Sequence, residues 1–242
     1  MTIEEQGIFL FHNKTEFSKQ DYYELLKNNG YIKKYSSFLV GFQKLINEGM
    51  VHRTGRNKYS ASENSHLSYS HLYSDEAIKI SECIKNEHPF VDFVIFETIQ
   101  LNEFINHQIG KNTIFVYTDN EVADFVYETL NSRFYGPVMV SPKVQEFHKY
   151  RKENCIVIKR LITESPKKPD TSWQITIEKL LVDIIADRIV RETFNESEIN
   201  SIYETAFERY IIDKSKLLRY AHRRNAAEKV KKYLDTNNHP ED

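Results

Sequence analysis

The chain has 242 residues, 40% of them hydrophobic and 28% charged, with only 7 Gly and 6 Pro; this composition excludes collagen-like, low-complexity and long disordered architectures. A formal net charge of −2 excludes a globally basic nucleic-acid coat, so any nucleic-acid footprint has to be local. The two cysteines, Cys83 and Cys155, form no CxxC pair and argue against a disulfide framework or a cysteine-built zinc site. The start Met1-Thr2-Ile3-Glu4-Glu5 lacks a signal-peptide pattern, and no apolar run approaches the ~18 residues of a membrane span, so the expectation is a cytoplasmic protein with no membrane contact.

In chain order, a first helix is expected over residues 3–11. Ser18, with Asp21 three residues on, predicts a helix start, and Asn29-Gly30 ends that helix after residue 28. Phe38, Leu39, Phe42, Leu45 and Ile46 recur at helical spacing and predict a helix over 35–48, closed by Gly49. Residues 50–60 read as two short strands around a tight turn that Gly55 makes possible. Helix, turn, helix, hairpin is the order of a winged helix-turn-helix, assigned to residues 1–62.

From residue 67 to 165, β-like runs at 91–96, 113–117, 137–140 and 155–158 alternate with helical patterns. The clearest helix, 121–130, is expected to carry Val122, Phe125, Val126 and Leu130 on one face. This predicts a small α/β region with a mixed sheet. Residues 164–170, with Pro166 and Pro169, read as a linker. Residues 176–234 read as helical: Ile177, Leu180, Leu181, Ile184 and Ile185 form one apolar stripe, Ile199, Ile202, Tyr203, Ala206 and Phe207 a second, and Leu217, Leu218, Tyr220 and Ala221 a third. The tail 235–242 is expected to fray. The fold class is therefore α+β: a winged helix at 1–62, then one region over 63–242 with an α/β part at 63–165 and a helical bundle at 171–235.

A recognition helix places polar side chains on base edges in the major groove. The helix at 35–48 begins with Lys33, Lys34, Tyr35, Ser36 and Ser37 and continues with Gln43 and Lys44, and the hairpin adds Arg53, Arg56 and Lys58 as phosphate contacts. These ten residues are the candidate interface with double-stranded DNA. A protein-docking module is the alternative use of the same fold. The basic run from Lys214 to Lys232, including Arg219, Arg223 and Arg224, reads first as a solvated outer face, second as an extension of the footprint.

No GxxxxGK[ST], GxGxxG, HExxH or GxSxG motif occurs, so phosphate-loop, dinucleotide, zincin and serine-hydrolase chemistry lack their signatures. Asp92 and Glu97 bracket a strand as in restriction-endonuclease-like nucleases, but no Asp-x-Lys or Glu-x-Lys triplet follows; a degenerate member of that class is the weaker alternative. Asp183 and Asp187 stand four apart on one helix, a spacing open to metal ligands, but are expected first on a solvated face, paired with Arg188 or Arg191. No catalytic residue, metal or cofactor is assigned.

Nine segments carry a family resemblance in order and spacing: Phe17-Ser18-Lys19-Gln20-Asp21, Leu45-Ile46-Asn47-Glu48-Gly49, Arg53-Thr54-Gly55-Arg56-Asn57-Lys58-Tyr59, Glu97-Thr98, Leu101-Asn102-Glu103-Phe104, His107-Gln108, Leu161-Ile162-Thr163-Glu164-Ser165-Pro166, Glu178-Lys179-Leu180-Leu181-Val182-Asp183 and Leu217-Leu218-Arg219-Tyr220-Ala221. With them the chain resembles the AbiEi-like antitoxins of type IV (abortive infection) toxin–antitoxin systems. The resemblance implies a winged helix that represses its own operon by binding the promoter region, with Arg53, Arg56 and Lys58 on the DNA. It also implies a C-terminal antitoxin region that counters a nucleotidyltransferase-like toxin without a stable complex.

Overall fold

The computed structural model describes residues 16–32, 34–47, 50–61, 68–168 and 173–236. The expected helix at 3–11 lies outside them. The fold is mixed α/β, and the chain divides into two compact units: residues 1–69 with 207–216, and 70–206 with 217–242.

In the first unit, α1 (Lys19–Asn28) starts where the sequence places it. Ser18 Oγ accepts from the Asp21 backbone N–H at 3.1 Å and the Asp21 carboxylate accepts from Ser18 N–H at 2.8 Å, a reciprocal capping box. Gly30, at φ +74°, turns the chain out of the helix. The second helix, α2, spans Tyr35–Asn47. An antiparallel hairpin follows, β1 (Val51–Gly55) with β2 (Lys58–Ala61), and Phe17 pairs with Tyr59 on the far side of β2. The turn residue in the left-handed region is Asn57, at φ +54°, not Gly55 as the sequence suggested; Gly55 ends β1. The core is an aromatic cluster in which Tyr22 meets Phe38 and Phe42 at ring distances of 5.8 and 5.7 Å, and Phe42 meets Tyr59 edge-on at 4.9 Å.

In the second unit, α3 (Asp75–Glu87) precedes a four-stranded mixed sheet of order β3-β4-β6-β5: β3 (Phe93–Glu97), β4 (Thr113–Thr118), β5 (Val138–Val140) and β6 (Cys155–Arg160). β3 runs antiparallel to β4; β4, β6 and β5 are parallel. The parallel strands are joined by α4 (Ala123–Arg133) and α5 (Val144–Tyr150). Strands buried on both faces carry near-continuous apolar runs, as β3 and β4 do. One face packs Ile95, Ile114, Val116, Ile156 and Ile158 against α3 and α4. Phe125, expected on the inner face of α4, is 60% exposed; Ala123, Val126 and Leu130 hold that face instead.

The rest of the unit is helical: α6 (Ile177–Ala186), α7 (Arg188–Arg191), α8 (Glu196–Arg209), α9 (Lys214–Arg223) and α10 (Ala227–Thr236), with α8 and α9 each crossing the division between the units. Residues 235 and 236 of the tail expected to fray belong to α10; 237–242 lie outside the described residues. The described part of the expected linker is docked rather than loose. Pro166 is buried, Lys167 pairs with Asp92, and Glu164 pairs with Arg223. Beyond it Trp173 O accepts from Ile95 N–H at 2.7 Å, so the returning chain covers the free edge of β3.

Gly136 precedes β5, and a Cβ there would stand 2.9 Å from the carbonyl oxygen of Asn154. Gly136→Ala is expected to lower stability by about 1–3 kcal/mol, read as a reduced urea midpoint at unchanged m-value; an unchanged midpoint would show that the two loops part freely.

Candidate functional site

Two clusters carry chemistry, one in each unit. The first is the outer face of α2 with the hairpin. Burial of Phe38, Phe42 and Leu45 turns Ser36, Ser37, Val40, Gln43 and Lys44 outward, all of them exposed. Lys34 precedes the helix, its carbonyl accepting from Phe38 N–H at 3.2 Å, and Tyr35 is 43% exposed with its ring edge-on to Tyr23 at 4.9 Å. Lys33 lies outside the described residues.

The three hairpin cations differ from one another. Arg53 donates from Nε to Gly55 O at 3.0 Å and lies 3.9 Å from Asp213. Lys58 pairs with Glu16 at 2.8 Å, and that hydrogen bond holds the Glu16 carboxyl below its usual value of 4.5. Arg56, exposed in the turn, has no carboxylate partner among the described residues. Val40, 74% exposed at the centre of the α2 face, was missed by reasoning that sought only polar contacts.

The second cluster overturns the expectation that Asp183 and Asp187 are solvated: they are 1% and 4% exposed. Asp183 Oδ2 accepts from Lys179 Nζ at 2.7 Å, and its Oδ1 accepts from Tyr220 Oη at 3.0 Å. Arg224 Nε lies 3.2 Å from the same Oδ1, so this member of the basic run is turned inward and is no part of a solvated face. Lys179 also donates to Tyr220 Oη at 2.9 Å and sits 3.9 Å from the centre of the Tyr117 ring. Asp187 Oδ2 pairs with Lys159 at 2.5 Å while its Oδ1 caps α7 through Ile189 N–H at 3.0 Å. Desolvation pulls the Lys179 ammonium below its ordinary range even against Asp183; desolvation also opposes the Arg224 cation, but the acidic groups beside it, Asp183 first, outweigh this and hold its guanidinium above its ordinary range. The visible signal is Lys179 and Asp183 four apart in a helix otherwise apolar but for Glu178, the spacing of an ion pair without a solvated side.

Glu97 is fully buried and saturated. Its oxygens accept from Ser74 N–H (2.8 Å), Ser74 Oγ (2.7 Å) and Asn112 Nδ2 (2.9 Å), with His71 Nε2 at 3.0 Å. Desolvation raises its pKa, but these hydrogen bonds outweigh it and hold the carboxyl below 4.5. Asp92, its bracketing partner in the nuclease alternative, is exposed and paired with Lys167. Among the described residues, no group of three or more acidic, His or Cys side chains could hold a metal ion. None of the described helices is long and apolar enough to cross a membrane.

A family model described as a family of unknown function, DUF6577, matches residues 37–240. The chain belongs to this family. The match takes in most of α2, the hairpin and the whole ion cluster of the DUF6577 chain. Among curated proteins none matches. Among solved structures, the chain is similar to the RV2827C protein from Mycobacterium tuberculosis at 9% identity, over 95% of this chain and 78% of that one, with a TM-score of 0.23. A likeness that low transfers neither fold nor role.

Asp183→Ala leaves Lys179 and Arg224 buried without their counter-ion, so a loss of about 3–5 kcal/mol in chemical denaturation is expected; a loss below about 1 kcal/mol would mean that water already screens the cluster. Glu97 contributes stability that is complete above pH 4.5 and drains as pH falls through its lowered folded value. The wild type should therefore lose more stability than Glu97→Gln on acidification below 4.5, and parallel acid profiles of the two would contradict this account.

Proposed function

We propose that this chain is a DNA-binding antitoxin and transcriptional autorepressor whose first unit is a winged helix-turn-helix. Its DNA is the promoter region of its own operon. Its opponent is a nucleotidyltransferase-like toxin, countered without a stable complex, as the AbiEi-like resemblance implies. The observation that carries the reading is the outer face of α2. A helix whose inner side is locked by aromatic packing presents Ser36, Ser37, Val40, Gln43 and Lys44 outward, next to a hairpin tipped by Arg56. Gln43 has the fork to bond an adenine edge, and the Val40 methyls suit a thymine methyl. Arg53 and Lys58 hold exposed pairs worth about 0–1 kcal/mol, so a phosphate can displace Asp213 and Glu16. The reading assigns the chain no catalytic step and no cofactor.

One observation favours a second reading, a protein-docking module. Leu39, Val40 and Tyr35 are 40%, 74% and 43% exposed together on α2.

Fluorescence anisotropy on the duplex upstream of the chain's own gene, titrated with salt beside a scrambled duplex, separates the two. Gln43→Ala is expected to cost about 1–3 kcal/mol on the native duplex only. Arg56→Ala should weaken both duplexes and shallow the salt slope by about one phosphate contact. Glu16→Gln, which frees Lys58, should tighten both. Equal weak binding to the two duplexes, unmoved by these changes, would leave the docking module standing.

A further inference from the structure

A cleft of about 790 Å³ opens in the second unit at the carboxyl ends of its three parallel strands. Tyr117 near the end of β4, Lys159 and Arg160 at the end of β6, and the 141–145 segment after β5 form one side; the α6–α7 junction forms the other. Open α/β sheets bind ligands at this position, because side chains and loop backbone converge there from several strands. The volume lies within the ~300–1,000 Å³ typical of small-molecule sites.

The lining is unbalanced in charge, with five cationic side chains facing two carboxylates. Asp187 is paired with Lys159, and the exposed Glu192 lies 3.5 Å from His148. Lys143, Arg160 and Arg188 are exposed on the rim and have no carboxylate partner among the described residues. At the floor, the Tyr117 side chain is 1% exposed and its hydroxyl makes no hydrogen bond, which costs free energy unless something comes to meet it. In the wall, Ser141 stands at φ +44°, a left-handed conformation that a serine rarely adopts and that tends to persist at ligand clamps. Pro142, Val144, Ile162 and Ile189 supply an apolar side.

We propose that this cleft binds a phosphorylated small molecule of nucleoside-diphosphate size, its phosphates held by Lys143, Arg160 and Arg188 and met by the Tyr117 hydroxyl, its body lying on the apolar side. Burial keeps the Tyr117 phenol well above its ordinary range, so it is a donor at neutral pH. Behind it, the three cations Lys159, Lys179 and Arg224 outnumber the carboxylates Asp183 and Asp187 that they pair with, which leaves a net positive cluster. The site is independent of the α2 face.

The test is equilibrium dialysis of the full chain with ADP, with adenosine, and with a single-stranded oligonucleotide, at an ionic strength of about 0.15 M. ADP is expected to bind and adenosine not. The oligonucleotide is expected to leave ADP binding undisturbed. The double variant Arg160→Ala/Arg188→Ala, which removes two exposed cations without carboxylate partners, should keep the thermal midpoint and weaken ADP about tenfold or more. Tyr117→Phe, which deletes only the hydroxyl, should weaken ADP several-fold. Absence of ADP binding, equal binding of adenosine, displacement of ADP by the oligonucleotide, or a double variant that folds and binds ADP as the wild type does would overturn the proposal.

Discussion

The carboxylate of Asp183 is held inside the second unit by Lys179 from its own helix, by Tyr220 from α9 and by Arg224 just beyond it. Lys179 in turn rests on the Tyr117 ring of β4, and Asp187 at the end of α6 takes Lys159 from β6. One charged cluster thus ties α6 and α9 to two sheet strands that are distant in sequence. Burying Lys179, Asp183 and Asp187 and partly burying Lys159 and Arg224 is a poor source of net stability, since desolvation offsets most of the attraction. Its effect is on specificity: another register of α6 on the sheet would part Asp183 from Tyr220 and Arg224, and Asp187 from Lys159. The position of α6 then sets where the α6–α7 junction faces the strand ends, and so sets the cleft.

The first unit solves its packing differently. Its core is made of rings, with Tyr22, Phe38, Phe42 and Tyr59 in contact across both helices and the hairpin. Large rigid side chains fix the rotation of α2 with few residues, which matters for a helix whose outer face carries the proposed DNA contacts. The Lys58–Glu16 pair here is exposed and weak, suited to exchange with phosphate, whereas the Lys179–Asp183 pair of the second unit is buried and suited to holding a shape.

Much of this was legible in the sequence, for local reasons. Ser18 and Asp21 mark α1 because a capping box is encoded within four residues, and the apolar runs of β4 and β6 announce strands buried on both faces. Two errors share a cause. The sequence places Asp187 on a solvated face and Arg224 on an outer basic face because the charge that pairs each lies on another element, and only tertiary structure brings Lys159 to Asp187 and Arg224 to Asp183; for Asp183 the local partner Lys179 is visible, but burial of the pair is not. The Gly55 reading failed for a subtler reason: Asn also tolerates the left-handed region, and the hairpin register gave that position to Asn57. Of the ten candidate DNA contacts, Ser36, Ser37, Gln43 and Lys44 lie exposed on the outer side of α2, Tyr35 leans on Tyr23, and Arg53 and Lys58 pair with carboxylates that no local pattern foretold.

The central claim is a division of labour, with DNA read by α2 and the hairpin while the second unit holds its own cleft. Hydrogen exchange of the full chain, with and without the duplex upstream of its gene, tests this most directly. The account predicts slowed exchange in residues 36–44 and 55–58 on DNA binding, with the strands and helices around Asp183 unchanged. Protection confined to the second unit, or none anywhere at saturating duplex, would contradict it.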